Sequence, residues 1–390
     1  MQLTEIQTAL REEKLDGWLF FDHHQRDPLA YRILHLDPGA TATRRWYYFI
    51  PATGEPRALV HRIESGILDS LPGVKHIYSG WSAQTAGLEW LLSGTKRVAM
   101  QYSPLCAIPY VSLVDAGTVE LVRQAGVEVI SSANLVQLFE ARWSNDQLES
   151  HLEAGRRVDR IRAAAFANIG DALRIGVHIT EWDVNRFIRR AFEADGMLTD
   201  HGPIVAVNAN MSDPHYEPTE DRHRPINHGD CVLIDMWAKL NQPRAVYYDI
   251  TWTGFAGAYP PSDFLNIFDV TTKARDRGVE RVEKAMRNGE ALHGYEVDDA
   301  TRGYIAERGF AEYFVHRTGH SIGEEVHGTG ANMDNLETHD ERKVIPGTCF
   351  SIEPGVYLPH FGVRSEVNVY AGDRYARVTG EIQRELVMLT

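Results

Sequence analysis

The chain has 390 residues, of which 43% are hydrophobic and 24% are charged. This balance excludes an intrinsically disordered protein, and the length predicts two domains that each bury a core of useful size. The formal net charge of −14 disfavours nucleic acids and anionic membrane surfaces as partners.

The N-terminal part alternates short apolar runs with helical patterns, which is typical of an α/β domain. The apolar runs predict strands at residues 17–21, 46–50, 58–60, 97–100 and 127–130. We therefore expect an N-terminal α/β domain over residues 1–143.

A long helix is predicted to open the second domain, residues 144–390. Ser144 and Gln147 have the spacing of a capping box. An apolar stripe follows at Leu148, Leu152, Ile161, Ala165, Ile169 and Leu173. A second helix should begin at Thr180, with Asp183 three residues later, and end at Gly196.

The rest of the second domain mixes helices with strands. Helices are predicted at residues 262–288 and 297–308, each followed by glycine. Strand patterns cover residues 230–238, 245–255, 348–357 and 362–370. We expect an α+β domain with mainly antiparallel strands.

Two aspartates flank a turn-rich segment, residues 241–243. Asp235 and Asp249 are symmetric about (235 + 249)/2 = 242, so a hairpin would make them cross-strand neighbours. Such neighbours have Cβ atoms ~5 Å apart. Two carboxylates at that distance could share a cation, and without one their joint ionisation is costly.

Two glutamates repeat this arrangement near the C-terminus. Glu353 and Glu366 are symmetric about (353 + 366)/2 = 359.5, which is the Pro359-His360 turn. Both lie in apolar strands, where unpaired carboxylates are rare. The two acidic pairs therefore require a positive partner.

Three histidines, His316, His320 and His327, follow one another at intervals of four and seven residues among glycines that favour tight backbone over helix. Four carboxylates with one imidazole suit Mn²⁺, Co²⁺, Fe²⁺ or Zn²⁺ in a two-metal site. Two such ions would activate water and polarise a substrate carbonyl. Taken singly, each acid is more often a solvated charge and each histidine an ordinary hydrogen-bonded group.

Five segments, in this order, resemble the signature of the pita-bread metallopeptidases, which include prolidases and aminopeptidases P. They are residues 230–235, 249–251, 319–327, 350–357 and 364–366. The resemblance covers about residues 145–390, and the N-terminal part is similar to the smaller domain of those enzymes. The implied metal ligands are Asp235, Asp249, His320, Glu353 and Glu366.

The resemblance also implies roles for other residues. His215, His316 and His327 would be catalytic and would hold the substrate, with His215 and His327 stabilising the oxyanion or the leaving nitrogen. Glu353 would also act as general base. Arg364 would orient Glu366 or meet the carboxyl end of the substrate, with a simple ion pair as the alternative.

Three departures from the family pattern bear on substrate preference. Trp237 stands where the family often has glycine, and Trp252 stands where it has arginine. The interval of 249 − 235 = 14 residues is longer than is typical of the family. We interpret both tryptophans as core residues.

The resemblance, and not the ligand spacing, implies hydrolysis of Xaa-Pro bonds. We expect an Xaa-Pro dipeptidase with two divalent ions, Mn²⁺ first and Zn²⁺ or Co²⁺ as alternatives. The other hypotheses are an aminopeptidase P acting on longer peptides, a pita-bread lyase or amidinohydrolase, and a non-catalytic binding module. A homodimer is implied by the same resemblance.

Location is predicted from cysteine use and from the N-terminus. Cys106, Cys231 and Cys349 have no CxxC spacing, which argues against a disulfide framework. The N-terminus is acidic and lacks the features of a signal sequence, and no run approaches the ~20 apolar residues of a membrane span. We expect a cytoplasmic protein.

Overall fold

Two units, Met1–Glu140 and Ala141–Thr390, make up the chain in the computed structural model, which describes residues 2–389. The helices of the first unit are α1 (Leu3–Glu12), α2 (Pro28–Leu34), α3 (Trp81–Leu91), α4 (Ala116–Gln124) and α5 (Ala133–Val136). Its strands are β1 (Gly17–Asp22), β2 (Trp46–Pro51), β3 (Arg57–His61), β4 (Val74–Tyr78), β5 (Arg97–Met100) and β6 (Glu128–Ser131).

These strands form one mixed sheet in the order β4-β3-β2-β1-β5-β6, in which β2 alone runs antiparallel to its neighbours. Alternate residues of β1 enter different cores, Trp18 and Phe20 on one face and Leu19 and Phe21 on the other. The sheet is therefore buried on both sides, as an α/β arrangement requires.

All five predicted strands of this unit are confirmed, and β4 was missed. Four of the five β4 residues are exposed, including Val74 and Ile77. Its sequence therefore lacks the burial pattern by which strands are recognised.

The helices of the second unit are α6 (Asn145–Ile175), α7 (Glu181–Ala194), α8 (Ser262–Asn288) and α9 (Gly294–Glu307). Its strands are β7 (Met197–Leu198), β8 (Ile204–Val207), β9 (Cys231–Leu240), β10 (Tyr248–Phe255), β11 (Ser321–Ile322), β12 (Thr348–Ile352), β13 (Gly355–Leu358), β14 (Phe361–Arg364), β15 (Val367–Gly372), β16 (Tyr375–Val378) and β17 (Val387–Met388).

One sheet of this unit has the order β17-β10-β9-β7, with β8 also paired to β9. A second has the order β11-β12-β15-β16, and β13 pairs with β14 alone. Every pairing is antiparallel except β10 with β17. The predicted α+β character is confirmed.

The helix starts follow their capping signals. Capping boxes open α6 at Ser144 with Gln147 and α7 at Thr180 with Asp183. Helix α9 begins at Gly294, three residues earlier than predicted, because His293 and Glu296 form a further capping box. The sequence analysis overlooked this box because histidine is not a usual N-cap residue.

Two predicted strands are each interrupted at an acidic residue. Residues 348–357 form β12 and β13, which are separated at Glu353-Pro354, and residues 362–370 fall in β14 and β15, which are separated at Ser365-Glu366. The backbone N–H of Glu353 donates to Thr318 O at 2.7 Å, and that of Glu366 donates to Thr251 O at 3.2 Å. Both donors are thus diverted from the hairpin ladder to other segments.

The hairpin β9–β10 separates a helical layer from the acidic face. Ile234 and Met236 pack into the core that includes α6, whereas Leu233 and Trp237 pack into a different core. Successive side chains of a strand point to opposite faces. Asp235 therefore faces away from α6.

No helix within residues 2–389 has the length and apolar character to cross a bilayer.

The capping box of α6 gives a stability prediction. Ser144→Ala removes the side-chain acceptor of the Gln147 N–H, so we expect the free energy of unfolding to fall by about 1 kcal/mol, measured by urea unfolding of the full chain. Glu149→Ala, at an exposed position of the same helix, is the control and should change stability much less. Equal losses in the two variants would contradict the capping role.

Candidate metal centre

The register of the β9–β10 hairpin corrects the predicted pairing of the two aspartates. Asp235 lies opposite Thr251, and Asp249 lies opposite Trp237, so the hairpin is centred at (235 + 251)/2 = 243. Asp235 and Asp249 are diagonal neighbours and not directly opposite partners. Since 249 and 251 differ by two, both aspartates still lie on one face of the hairpin.

The predicted register of the glutamate pair is confirmed. Ile352 pairs with Val367 and Gly355 pairs with Arg364, and both pairs are centred at 359.5. The two-residue turn Pro359-His360 closes the hairpin. Glu353 and Glu366 lie between the two ladders, where neither belongs to a strand.

The structure brings donor atoms from distant segments together. One donor atom each from Asp249, His320 and Glu366 lie within 4.8 Å of one another. His320 Nε2 is 3.6 Å from Asp249 Oδ2 and 3.3 Å from Glu353 Oε1. We call Asp235, Asp249, His320, Glu353 and Glu366 the acidic cluster.

Two oxygens of the acidic cluster are buried without a hydrogen-bond donor among the described residues, Asp249 Oδ1 and Glu366 Oε1. Burial and the charge of Asp235 raise the pKa of Asp249 well above its ordinary range. Burial and the charges of Asp249 and Glu353 do the same to the pKa of Glu366. Unpartnered, crowded carboxylate oxygens of this kind fit a hard divalent cation.

The tautomer of His320 supports the same fit. Its Nδ1 lies 3.1 Å from Ser321 O, and a carbonyl only accepts, so Nδ1 carries the proton. Burial lowers the pKa of His320, which keeps the ring neutral. The Nε2 lone pair therefore faces carboxylate oxygens, an arrangement that is repulsive unless a cation lies between them.

Arg364 connects three members of the acidic cluster. Its guanidinium is 3% exposed and pairs through Nη2 with Asp235 Oδ2. Its Nε donates to Thr251 Oγ1 at 3.1 Å, and that hydroxyl donates to Glu366 Oε2 at 2.8 Å. Arg364 Nε also lies 4.0 Å from Glu353 Oε2. These contacts support the orienting role over contact with the substrate.

His316 and His327 have different neighbours. His316 Nε2 is 2.7 Å from Tyr357 Oη, which in turn accepts from Arg364 Nη1 at 3.1 Å. His316 is therefore connected to Asp235 through Tyr357 and Arg364. The ring of His327 is exposed and lies edge-on to His320, with the centroids 4.4 Å apart.

His215 is also exposed. Repulsion between protonated imidazoles, first from His320 and more weakly from His215, lowers the pKa of His327. The carbonyl of the preceding residue, Pro214, accepts from Arg364 Nη1 at 3.4 Å. This contact attaches the segment that carries His215 to the acidic cluster.

The same segment depends on Glu181, a residue that the sequence analysis missed. Its fully buried carboxylate accepts from Val207 N at 2.7 Å, Tyr216 Oη at 2.6 Å and Arg224 N at 2.7 Å. In the sequence Glu181 is an ordinary acidic residue in the first turn of a helix. No local signal distinguishes it, because its partners lie on other segments.

The two tryptophans differ in position. Trp252 lies on the face opposite the aspartates, and Arg162 stacks on its ring at 3.3 Å, which agrees with the core interpretation. Trp237 lies on the aspartate face, donates from Nε1 to Asp200 Oδ1 at 2.8 Å and packs on Gly202, where a Cβ would meet the indole at 2.5 Å. Trp237 is 8% exposed and packs in a buried hydrophobic cluster, so the core interpretation is confirmed for it as well.

The sequence profile of metallopeptidase family M24 matches residues 150–373. The chain belongs to metallopeptidase family M24. This M24 chain is 26% identical over 348 residues to the probable dipeptidase PepE of Mycobacterium tuberculosis, a match that covers 87% of this chain and 84% of that relative. It is 31% identical over 185 residues to the Xaa-Pro dipeptidase of Pyrococcus furiosus, covering 47% and 48% of the two chains.

The solved structure of dipeptidase PepE from Mycobacterium ulcerans superimposes on the M24 chain with a TM-score of 0.72 and 23% identity. The match covers 99% of this chain and 96% of that one. The predicted fold is confirmed: an α/β N-terminal part and an α+β pita-bread part. Membership of family M24, together with the relatives named dipeptidase, shows that the chain is an enzyme with peptidase activity.

Arg364 gives a test of the acidic cluster. Lysine cannot reproduce the planar fork of arginine, so we expect Arg364→Lys to weaken Mn²⁺ binding by about 10–100-fold, measured by titrating metal-stripped protein. Arg384→Lys, whose parent side chain is 68% exposed, is the matched control and should bind as the wild type does. Unchanged affinity in Arg364→Lys would show that the orienting contacts do not matter.

Proposed function

We propose that the chain hydrolyses Xaa-Pro dipeptides with two divalent ions held by Asp235, Asp249, His320, Glu353 and Glu366. The observation that carries this proposal is the acidic cluster, in which Asp249 Oδ1 and Glu366 Oε1 are buried without donors and His320 Nε2 faces two carboxylates. Four carboxylates and one imidazole supply enough ligand atoms for two ions. Mn²⁺ is the first choice, and Zn²⁺ and Co²⁺ are the alternatives.

When bound, the ions would polarise the scissile carbonyl and make a nearby water more acidic. We assign to Glu353 the role of general base, which accepts the proton of that water. Its side chain is 16% exposed, against 7% for Asp249 and 11% for Asp235. It is therefore the most accessible of these three carboxylates. The Ser351 hydroxyl donates to Glu353 Oε1 at 3.0 Å and holds the carboxylate in place.

We assign contacts with the substrate to His327 and His215, because both are exposed and His327 lies edge-on to the buried His320. Repulsion between the protonated forms of His320 and His327 lowers the pKa of His327, so its ring is neutral and can donate one hydrogen bond. We assign that hydrogen bond to the oxyanion or to the leaving nitrogen. We assign to His316 an indirect role, in which it positions Arg364 through the hydroxyl of Tyr357.

Support for proline comes from the relatives. One relative is named an Xaa-Pro dipeptidase and a longer match is named a dipeptidase. A prolyl nitrogen has no N–H, and like any amide nitrogen it must gain a proton as it leaves. Neighbouring imidazoles are suited to such a transfer. The homodimer and the cytoplasmic location stay predictions.

The first test is hydrolysis of Ala-Pro beside Ala-Ala and Ala-Pro-Ala. The protein is assayed after metal stripping and after Mn²⁺, Co²⁺ or Zn²⁺ is added back. We expect metal-dependent cleavage of Ala-Pro and far slower cleavage of the other two peptides. Preferred cleavage of Ala-Pro-Ala would transfer the assignment to an aminopeptidase P. No cleavage with any metal would contradict the proposed function and favour the lyase or amidinohydrolase chemistry of pita-bread enzymes.

The role of Glu353 gives a second test. Glu353→Ala removes the proposed base and one metal ligand, so we expect kcat on Ala-Pro to fall by at least about 10²-fold while the circular dichroism spectrum is unchanged. Glu312→Ala, at an exposed position, should keep wild-type kcat. Activity retained in Glu353→Ala would exclude the mechanism.

A further inference from the structure

A cavity of about 680 Å³ opens in the first unit at one edge of its sheet. Strands β1, β3 and β4 run in the same direction and end at this edge, where Asp22 pairs with Trp46 and His61 pairs with Tyr78. Crevices at the carboxyl ends of strands are the usual ligand sites of open α/β sheets. The volume lies within the ~300–1,000 Å³ of typical small-molecule sites.

The lining of this cavity is basic. Its histidines and arginines are His23, His24, Arg26, Arg44, Arg45 and His61, and we call it the basic cavity. Asp115 is the one carboxylate among the lining residues, and it already accepts from the Thr118 N–H and hydroxyl at 2.9 Å each. Among residues 2–389, no carboxylate forms an ion pair with the side chain of Arg26, Arg44 or Arg45. The three guanidinium groups therefore give the cavity its positive charge.

The basic groups are held close together by the backbone. Arg26 Nε donates to His23 O at 2.9 Å, and Arg26 Nη2 lies 2.9 Å from His23 Nδ1. The rings of His23 and His24 have centroids 4.4 Å apart. Burial and the positive charges of His24, Arg26 and Arg45 lower the pKa of His23. A bound anion would offset this mutual repulsion.

The N-terminus of helix α3 adds to the positive electrostatic potential of the basic cavity. The helix begins at the cavity wall, where Gly80 is the N-cap and supplies no side-chain acceptor to the first turn. A helix N-terminus carries partial positive charge and free N–H donors. Trp81, the first helical residue, is 80% exposed and offers a flat apolar face beside the cationic groups.

We propose that the basic cavity binds a small polyanion, a ligand with two or more phosphate or carboxylate groups. Arg44 and Arg45 would contact the anionic groups, because guanidinium donors match both chemistries in bidentate geometry. Trp81 would pack against the organic part of the ligand. This site is separate from the acidic cluster in residues and in charge, and it does not depend on the proposed peptidase specificity.

The test is isothermal titration of the full-length, metal-loaded chain with two probes, fructose 1,6-bisphosphate and propane-1,2,3-tricarboxylate. We expect saturable binding of at least one probe, weakened by added salt. Arg44→Gln/Arg45→Gln should weaken that binding at least about tenfold. Arg123→Gln, an exposed arginine of the same unit outside the cavity, should bind as the wild type does. Thermal unfolding of each variant verifies that the fold is retained.

Tighter binding of the bisphosphate would identify phosphate as the recognised group, and tighter binding of the tricarboxylate would identify carboxylate. Absence of binding by both probes would overturn the proposal. So would equal affinity of the wild type and the double variant, because the anion would then sit elsewhere, for instance on the metals of the acidic cluster.

Discussion

Mutual repulsion among buried carboxylates is the constraint on which the second unit depends. Asp249 and Glu366 each keep one buried oxygen without a donor, and the pKa of each is raised by burial and by its acidic neighbours. Such a group of acids is tolerable only with compensating positive charge. Arg364 supplies part of that charge from within the chain, and divalent cations are the chemically suited remainder.

The irregular backbone of this unit follows from the same constraint. Glu353 and Glu366 lie at the points where two short ladders separate, and their N–H groups donate to Thr318 and Thr251 in place of a hairpin partner. Each diversion secures an acidic residue to a segment near the cluster. The side chains of Ser351 and Thr251 then hold the two carboxylates directly. A continuous strand would leave neither backbone donor available for this purpose.

The two units of the chain concentrate side chains of opposite charge. The acidic cluster collects buried carboxylates that need cations, and the basic cavity collects guanidinium and imidazole groups that suit an anion. In both places the charged groups come from segments that are far apart in sequence. The net charge of the chain therefore says little about either site, because local concentration and burial set the field that a ligand meets.

The sequence by itself determined the elements that depend on neighbouring residues. The capping boxes at Ser144 and Thr180 and the hairpin centred on Pro359-His360 are local in sequence, and each was predicted with its position. The tertiary structure decided what depends on distant segments. Arg244, with φ of 61°, lies in a loop that shifts Asp249 from its predicted partner. The partners of Glu181 and the walls of the basic cavity likewise meet only in the folded chain, since no short-range pattern encodes contacts between remote segments.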